Sequence, residues 1–260
     1  MIALEAVTKR FPSGAVALGG IDLEIERGEL VVLVGASGCG KTTTLRLINR
    51  LTDPTEGRVL VDGQDIAGVD PVMLRRSIGY VIQEVGLFPH LTVAENAGLI
   101  PRMLGWAKTR TRDRVRALLE LVRLDPDEFA DRLPAEMSGG QRQRVGLARA
   151  LAAEPGIMLM DEPFGAIDPV NRARLQDEYL AIHRRLGLTT VMVTHDIGEA
   201  LLLGDRVVVM AQGRVLQADT PERIASHPAN DAVERLIHDP VARSAKIAGM
   251  VARGSDGGGG

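Results

Sequence analysis

The stretch GASGCGKT at 35–42 constrains this chain more than any other part of its sequence. It fits the phosphate-loop pattern G-x-x-x-x-G-K-[ST], with the apolar run ELVVLVG before it and the helix-patterned KTTTLRLINRL after it. Gly35, Gly38 and Gly40 let the backbone turn so that successive N–H groups converge on phosphate oxygens. A helix beginning near Lys41 adds its positive end. Lys41 supplies a full charge to the outer phosphates, and the Thr42 hydroxyl is a Mg²⁺ ligand candidate. Ser37 and Thr43 are further candidate phosphate contacts. Cys39 fills a variable place in the same nucleotide-binding loop, where a tolerated small residue is favoured over a redox role. A glycine turn that binds nothing is the competing reading, and the strand, helix, lysine and threonine in register weigh against it.

The rest of the chain is patterned to match. Ile2, Leu4 and Ala6, then Ile21, Leu23 and Ile25, alternate with polar positions, which predicts half-buried antiparallel strands. Residues 29–35 form a continuous apolar run, expected of a strand covered on both faces. Helical spacing over 41–51 puts Leu45, Ile48 and Leu51 on one face. GRVLVDGQDI at 57–66 predicts two short strands around Asp62-Gly63. From Pro89 to Ala153 the spacing is helical throughout, and then strand-like runs return at 156–163, 189–196 and 206–216, with a helix over NRARLQDEYLAIHRRLG. The expected fold class is therefore α/β, a parallel sheet built of βα units and interrupted by an all-helical insert.

Three strand ends carry chemistry. GIMLMDEP closes on Asp161 and Glu162; the first carboxylate is placed to hold Mg²⁺ and the second to polarise an attacking water. His195 closes TTVMVTHD, a strand expected beside the one bearing Asp161, where an imidazole reaches the γ-phosphate. Gln83 closes IGYVIQE and leads into the helical insert, so its amide can meet Mg²⁺ or its water and report on nucleotide. His90, His183, His227 and His238 lack such a context and read as structural or exposed.

Composition limits the function classes. The net charge of −3 gives no general reason to bind nucleic acid or anionic lipid. A single cysteine excludes an intramolecular disulfide and a cysteine-based metal cluster. No run approaches the ~18 apolar residues of a membrane span. The N-terminus lacks the apolar core of a signal peptide. The expectation is a soluble cytosolic chain whose membrane role comes through a partner.

MSGGQRQRVGLAR at 137–149 is a second glycine-rich helix start, far from the first. The order of phosphate loop, Gln83, MSGGQ, IMLMDEP, GAID and Thr194-His195-Asp196 resembles the ATP-binding cassette ATPases of membrane transporters, over roughly residues 2–240. That resemblance implies a P-loop core of RecA-like topology (1–88 and 154–240), an N-terminal antiparallel β subdomain, and a helical subdomain at 89–153. It implies two cassettes, identical or paired, working head to tail. Phe11 matches the aromatic that stacks on adenine, Glu162 the catalytic base and His195 the switch histidine. Ser138, Gly139, Gly140 and Gln141 match the signature segment, which reaches the ATP held by the opposite protomer. Asp168 matches the aspartate of the loop that crosses the dimer interface. Met137 and Ile167 stand where leucine is usual, and both keep apolar bulk.

Within the family, INRLTDPTEGRVLVDGQDI, LRRSIGYVIQEVGLFPHLTVAEN and PRMLGW look most like importers of glycine betaine, carnitine or choline, although Glu84 stands where those ATPases often carry a second glutamine. The resemblance implies ATP and Mg²⁺ as cofactors. It also implies integral-membrane permease subunits, a solute-binding protein reached through them, and a place on the cytoplasmic face of the membrane. A short permease helix would dock near 83–96; Val85, Leu87, Phe88 and Leu91 read equally as that surface or as insert core. Only residues 241–260 follow the cassette, so a paired regulatory module is not expected, and GSDGGGG should be disordered. Importers of other small solutes, such as amino acids or polyamines, and non-transport cassettes are the alternatives. Arg142, Arg144 and Arg149 are expected on a solvated helix face rather than on nucleic acid.

Overall fold

The computed structural model describes residues 1–237 apart from Glu84 and Ala166. Glu84, His238 and the tail to which disorder was assigned therefore lie outside the described residues. Two sheets organise the rest.

The first sheet is antiparallel and orders β2-β1-β4-β5. β1 (Ile2–Arg10) and β2 (Val16–Ile25) form from the alternating N-terminal stretch. Ile2, Leu4, Ile21, Leu23 and Ile25 are buried as a period of two requires. Ala6 departs from the pattern. Its φ is 48°, the register slips between Leu4 and Val7, and Val7 takes the inward place while Ala6 faces out. This is a bulge, in which one extra residue turns the strand. Gly57 passes directly beneath it; a Cβ there would stand 2.4 Å from the carbonyl oxygens of Glu5 and Ala6.

β3 (Leu30–Val34) is wholly buried and runs into α1 (Lys41–Ile48). The helix stops before Leu51. Asn49 caps it, Arg50 turns the chain at φ 47°, and Leu51 is left exposed. β4 (Glu56–Val61) and β5 (Gln64–Asp65) flank a turn with φ 50° at Asp62 and 77° at Gly63, the left-handed pair a tight hairpin needs.

The second sheet orders β10-β9-β3-β8-β7-β6. After α2 (Pro71–Ser77) comes β6 (Ile78–Val81). Between it and β7 (Ile157–Asp161) lie α3 (Val93–Ala97), α4 (Leu99–Met103), α5 (Lys108–Leu121), α6 (Pro126–Phe129) and α7 (Gly139–Leu151). Then follow α8 (Pro169–Leu186), β8 (Thr189–Thr194), α9 (Ile197–Leu203), β9 (Arg206–Ala211), β10 (Arg214–Asp219) and α10 (Pro221–Ser226). β6, β7, β8, β3 and β9 pair in parallel, and β10 returns antiparallel. The run at 206–216 is thus two strands, split where Gln212 and Gly213 both take positive φ.

One core packs the helices against one face of this sheet, and a second fills the space between its other face, α1 and the antiparallel sheet. The entry to the helical stretch is pinned by Asn96, fully buried. It accepts from the Phe88 N–H at 2.8 Å and donates to the Phe88, Leu91 and Thr92 carbonyls at 3.0–3.1 Å. Val85 and Leu87 pack inward, Val85 into the gap left by Gly146, whereas Phe88 stays exposed.

Arg144 and Arg149 of α7 correct the expectation of a solvated face, whereas Arg142 is exposed as expected. Arg142 donates to the Met137 carbonyl, Arg144 lies in a buried ion pair with Glu178, and Arg149 donates to the carbonyls of Val85 and Gly86. They fasten the helix to its surroundings.

His183 is structural. Its Nδ1 lies 3.0 Å from the Thr190 hydroxyl, which also meets the buried Tyr179 hydroxyl at 2.7 Å. Burial holds the imidazole below its ordinary range, with the Asp205 charge pulling the other way. The unfolded chain therefore takes up this proton first as pH falls, so the contribution of neutral His183 is complete above about pH 6.5 and is lost below it. His183→Gln is expected to flatten the fall in thermal midpoint between about pH 7 and 5 by a few degrees. Parallel acid limbs for the two proteins would remove His183 as the cause.

Candidate functional site

The site lies at the carboxyl ends of the parallel strands, where open α/β sheets place their ligands. Because β3, β8, β7 and β6 are successive neighbours, the segments that follow them emerge side by side.

The loop after β3 is shaped by glycines that nothing else could replace. At Gly35 a Cβ would stand 2.1 Å from the Met210 carbonyl oxygen. Gly40 has φ 113°, and a Cβ there would lie 2.6 Å from Leu18 Cδ2 and 2.7 Å from the Ala17 carbonyl. The start of β2 thus presses on the phosphate loop, and the Gly213 N–H donates to the Cys39 carbonyl to close the other side. Lys41 is buried, its ammonium donating to the carbonyls of Gly35 at 2.6 Å and Ala36 at 3.1 Å, with Cys39 Sγ at 3.8 Å. Ser37 and Gly38 face outward from the loop, Cys39 is buried inside it, and Thr42 and Thr43 are half-buried on the first turn of α1.

Thr42 donates to Asp161 Oδ1 at 3.0 Å, so two residues far apart in sequence share one place. Burial pushes the Asp161 carboxyl up; the Thr42 hydrogen bond opposes this and the neighbouring Glu162 charge adds to it. A half-desolvated carboxylate beside a hydroxyl is a hard, all-oxygen donor set. Mg²⁺ favours such sets, with one or two carboxylates and the remaining positions left to water and phosphate. Among the described residues no group of three or more His, Cys, Asp or Glu side chains forms a metal cage.

Glu162 sits one residue beyond β7 with φ 45°, a strained value for a non-glycine residue and one that concentrates at functional positions. Its N–H donates to the Val193 carbonyl, and its Oε2 accepts from Gln83 Nε2 at 3.0 Å and lies 3.2 Å from His195 Nδ1. Side chains from the ends of β6, β7 and β8 therefore meet on one carboxylate oxygen. Gln83 and the imidazole of His195 are both exposed.

Phe11 follows β1 in the turn to β2, 40% exposed, with the Lys9 ammonium 5.5 Å from its ring centre. β2 carries this turn toward Gly40, whose surroundings include Ala17 and Leu18.

The glycine-rich segment at 138 lies apart from all this. Ser138 caps α7: its hydroxyl accepts from the Gln141 N–H while Gln141 Oε1 accepts from the Ser138 N–H, a reciprocal capping box. Asp168 caps α8 in turn, accepting from the N–H and side-chain amide of Asn171. Between the two helix starts runs a groove of about 390 Å³, lined by Ser138–Gln141 and Asp168. Among the described residues, no hydrogen bond or ion pair joins this segment to the phosphate loop. Met137 and Ile167 are both buried, so the substitutions for leucine fill core.

Sequence reasoning missed the Glu178 and Glu199 positions. Glu199, buried on α9, accepts from Gln176 Nε2 at 2.8 Å, and burial pushes its carboxyl up. A glutamate on an otherwise apolar helix face was the only available signal.

Residues 18–165 match the family described as ABC transporter. The chain is 51% identical over 237 residues to the glycine betaine/carnitine/choline transport ATP-binding protein OpuCA of Bacillus subtilis (strain 168), covering 91% of this chain and 62% of that protein. It is 46% identical over 237 residues to the glycine betaine uptake system ATP-binding protein YehX of Escherichia coli (strain K12), covering 91% and 76%. The chain thus spans about three-fifths of the first of these relatives. A solved dimeric ATP-binding cassette in a post-hydrolysis state bound to ADP and Pi superposes with a TM-score of 0.77 at 36% identity, covering 85% of this chain and 99% of that one. The structure of cbiO1 from Clostridium perfringens, part of the ABC transporter complex cbiONQ, gives 0.81 at 28% identity, covering 95% and 98%. Phosphate loop, carboxylate pair and capped signature helix thus sit on a cassette fold, and the chain belongs to the ABC transporter family of ATP-binding subunits.

Proposed function

We propose that this chain binds and hydrolyses ATP to energise an importer of quaternary-amine osmoprotectants. The observation that carries the catalytic part is the meeting of Gln83 and His195 on Glu162 Oε2, beside the Thr42–Asp161 pair. ATP would lie with its adenine on Phe11 and its phosphates in the backbone of Gly35–Gly40, met by Lys41, Ser37 and Thr43. Thr42 and Asp161 would hold Mg²⁺, with Gln83 next to it. The cation would neutralise charge on the β- and γ-phosphates.

Glu162 accepts the proton of the attacking water. Gln83 and His195 hold its carboxylate in place, and the exposed imidazole of His195 is the group able to reach toward the γ-phosphate. The phosphate-loop chain supplies half of each site. Ser138–Gln141 and Asp168 of a second cassette, in a head-to-tail dimer, supply the rest, which accounts for a helix N-terminus with no phosphate loop of its own beside it. Residues 89–153 would move as a helical unit, because the loop leaving Gln83 is tied into it through Asn96 and Arg149.

The assembly with membrane permeases, and through them a solute-binding protein, would place the chain on the cytoplasmic face of the membrane. No described helix is long and apolar enough to cross a membrane. The substrate class follows the names of relatives at 46–51% identity. A second reading, polyamine import, draws on the 44% identity over 230 residues to a spermidine/putrescine import ATP-binding protein of Chromobacterium violaceum. Uptake of labelled glycine betaine, carnitine, choline and spermidine in a strain lacking this chain separates the two. A defect confined to the quaternary amines is expected. A defect confined to spermidine would overturn the substrate class and leave the ATPase reading standing.

A further inference from the structure

α8, capped by Asp168 in the segment that follows β7, carries one carboxylate toward α7, the helix capped by Ser138. Glu178 is buried, with its side chain 8% exposed, and its Oε2 stands 2.5 Å from Arg144 Nη1, whose side chain is 12% exposed. Arg144 Nη1 also donates to the Val122 carbonyl at the end of α5, at 2.6 Å. Arg123 and Arg174 reach the other oxygen of Glu178 from solvent, at 3.4 and 3.1 Å, with side chains 63% and 62% exposed.

We propose that Arg144 and Glu178 are a positioning pair that sets the register of α7 against α8, and so holds Ser138 and Asp168 at the spacing a partner cassette's nucleotide requires. The inference depends on the composite-site reading above. Its physical basis is that a buried ion pair is a poor source of net stability but a strong constraint on register. Sliding either helix by a turn would strand both charges away from water. Arg144 lies six residues into α7 from its cap, ~9 Å along the axis, and Glu178 lies ten residues into α8, ~15 Å along it. Arg144 itself lines the groove between the two helix starts, whereas Glu178 does not, so Glu178 acts on that groove through Arg144 and the register of the two helices.

The test uses the full chain and three variants, Glu178→Gln, Arg144→Gln and the double variant, with Arg116→Ala, which breaks an exposed ion pair with Asp127 outside the groove, as a control. Glu178→Gln is isosteric and leaves the phosphate loop untouched. It is expected to lower kcat about tenfold while the Kd of the single chain for ATP stays within about twofold. The double variant should lose no more than the worse single variant, because the two side chains act as a unit. Arg116→Ala, whose side chain is 54% exposed, should keep wild-type turnover. Wild-type kcat in Glu178→Gln overturns the pair, as does a Kd that rises in step with the loss of kcat, or additive losses in the double variant. Should the glutamine variants fail to fold, Glu178→Asp serves. It keeps the charge but shortens the reach, and a partial loss of kcat at constant Kd is the supporting result, while unchanged kcat overturns the pair. Absence of ATP turnover in the wild-type chain would overturn the ATPase reading itself, a different outcome from wild-type turnover that ignores Glu178.

Discussion

Glu162→Gln is expected to lower ATP turnover about a hundredfold or more while ATP binding persists and ATP-bound dimers accumulate. The substitution suits the site because it changes chemistry and little else. A glutamine side chain has the same shape, and its amide oxygen still accepts from Gln83 Nε2, now 3.0 Å from Glu162 Oε2. The φ of 45° at this residue is no harder for glutamine than for glutamate. What disappears is the negative charge that polarises water and accepts its proton. General bases contribute about 10²–10⁴-fold, so the loss should fall in that range. The dimer is stabilised by the nucleotide it encloses, and blocking hydrolysis removes the step that opens it. Gel filtration with ATP would show the dimer, and a coupled phosphate-release assay the lost turnover. Turnover within about threefold of wild type would move the base elsewhere, with Asp161 and His195 the next titratable groups to test.

Much of this site was legible in the sequence because its parts are local. A phosphate loop needs a buried strand, glycines and a helix start in continuous sequence, and those are written as one stretch at 29–51. The placing of Asp161, His195 and Gln83 at strand ends followed from apolar runs of strand length. That those strands are neighbours followed only from the βα alternation, and β6, β7 and β8 do pair in that order.

What was not legible depends on contacts between distant segments or on backbone turns. Ala6 looks like an inward residue until the bulge at Leu4–Val7 turns it out. Leu51 looks like part of a third helical turn until Arg50 takes a left-handed conformation. The arginines of α7 look like a solvated stripe because their acceptors are backbone carbonyls 5 to 64 positions away. Carbonyl acceptors leave no trace in a residue pattern. Glu178 had no signal because its partner Arg144 lies on another helix, far away in sequence.

Gly139→Asp is expected to leave ATP binding by a single chain within about twofold of wild type and to lower hydrolysis about a hundredfold or more. Within one chain the position is open, since a Cβ at Gly139 would meet nothing within 4 Å. The residue is the first of α7, directly after the capping Ser138, and φ there is not in the left-handed region. A carboxylate in the first turn of a helix is favoured by the helix dipole, by about 0.3–1 kcal/mol, so the fold should be kept or slightly strengthened. Thermal midpoint and single-chain ATP affinity should therefore not fall. The same carboxylate would face the γ-phosphate of a partner's ATP across the interface, where it adds bulk and like charge to a surface that needs donors. Gly139→Ala adds bulk without charge and should lose less. If ATP binding by the single chain collapsed with Gly139→Asp, the segment would belong to its own chain's nucleotide site, and the head-to-tail arrangement would be wrong.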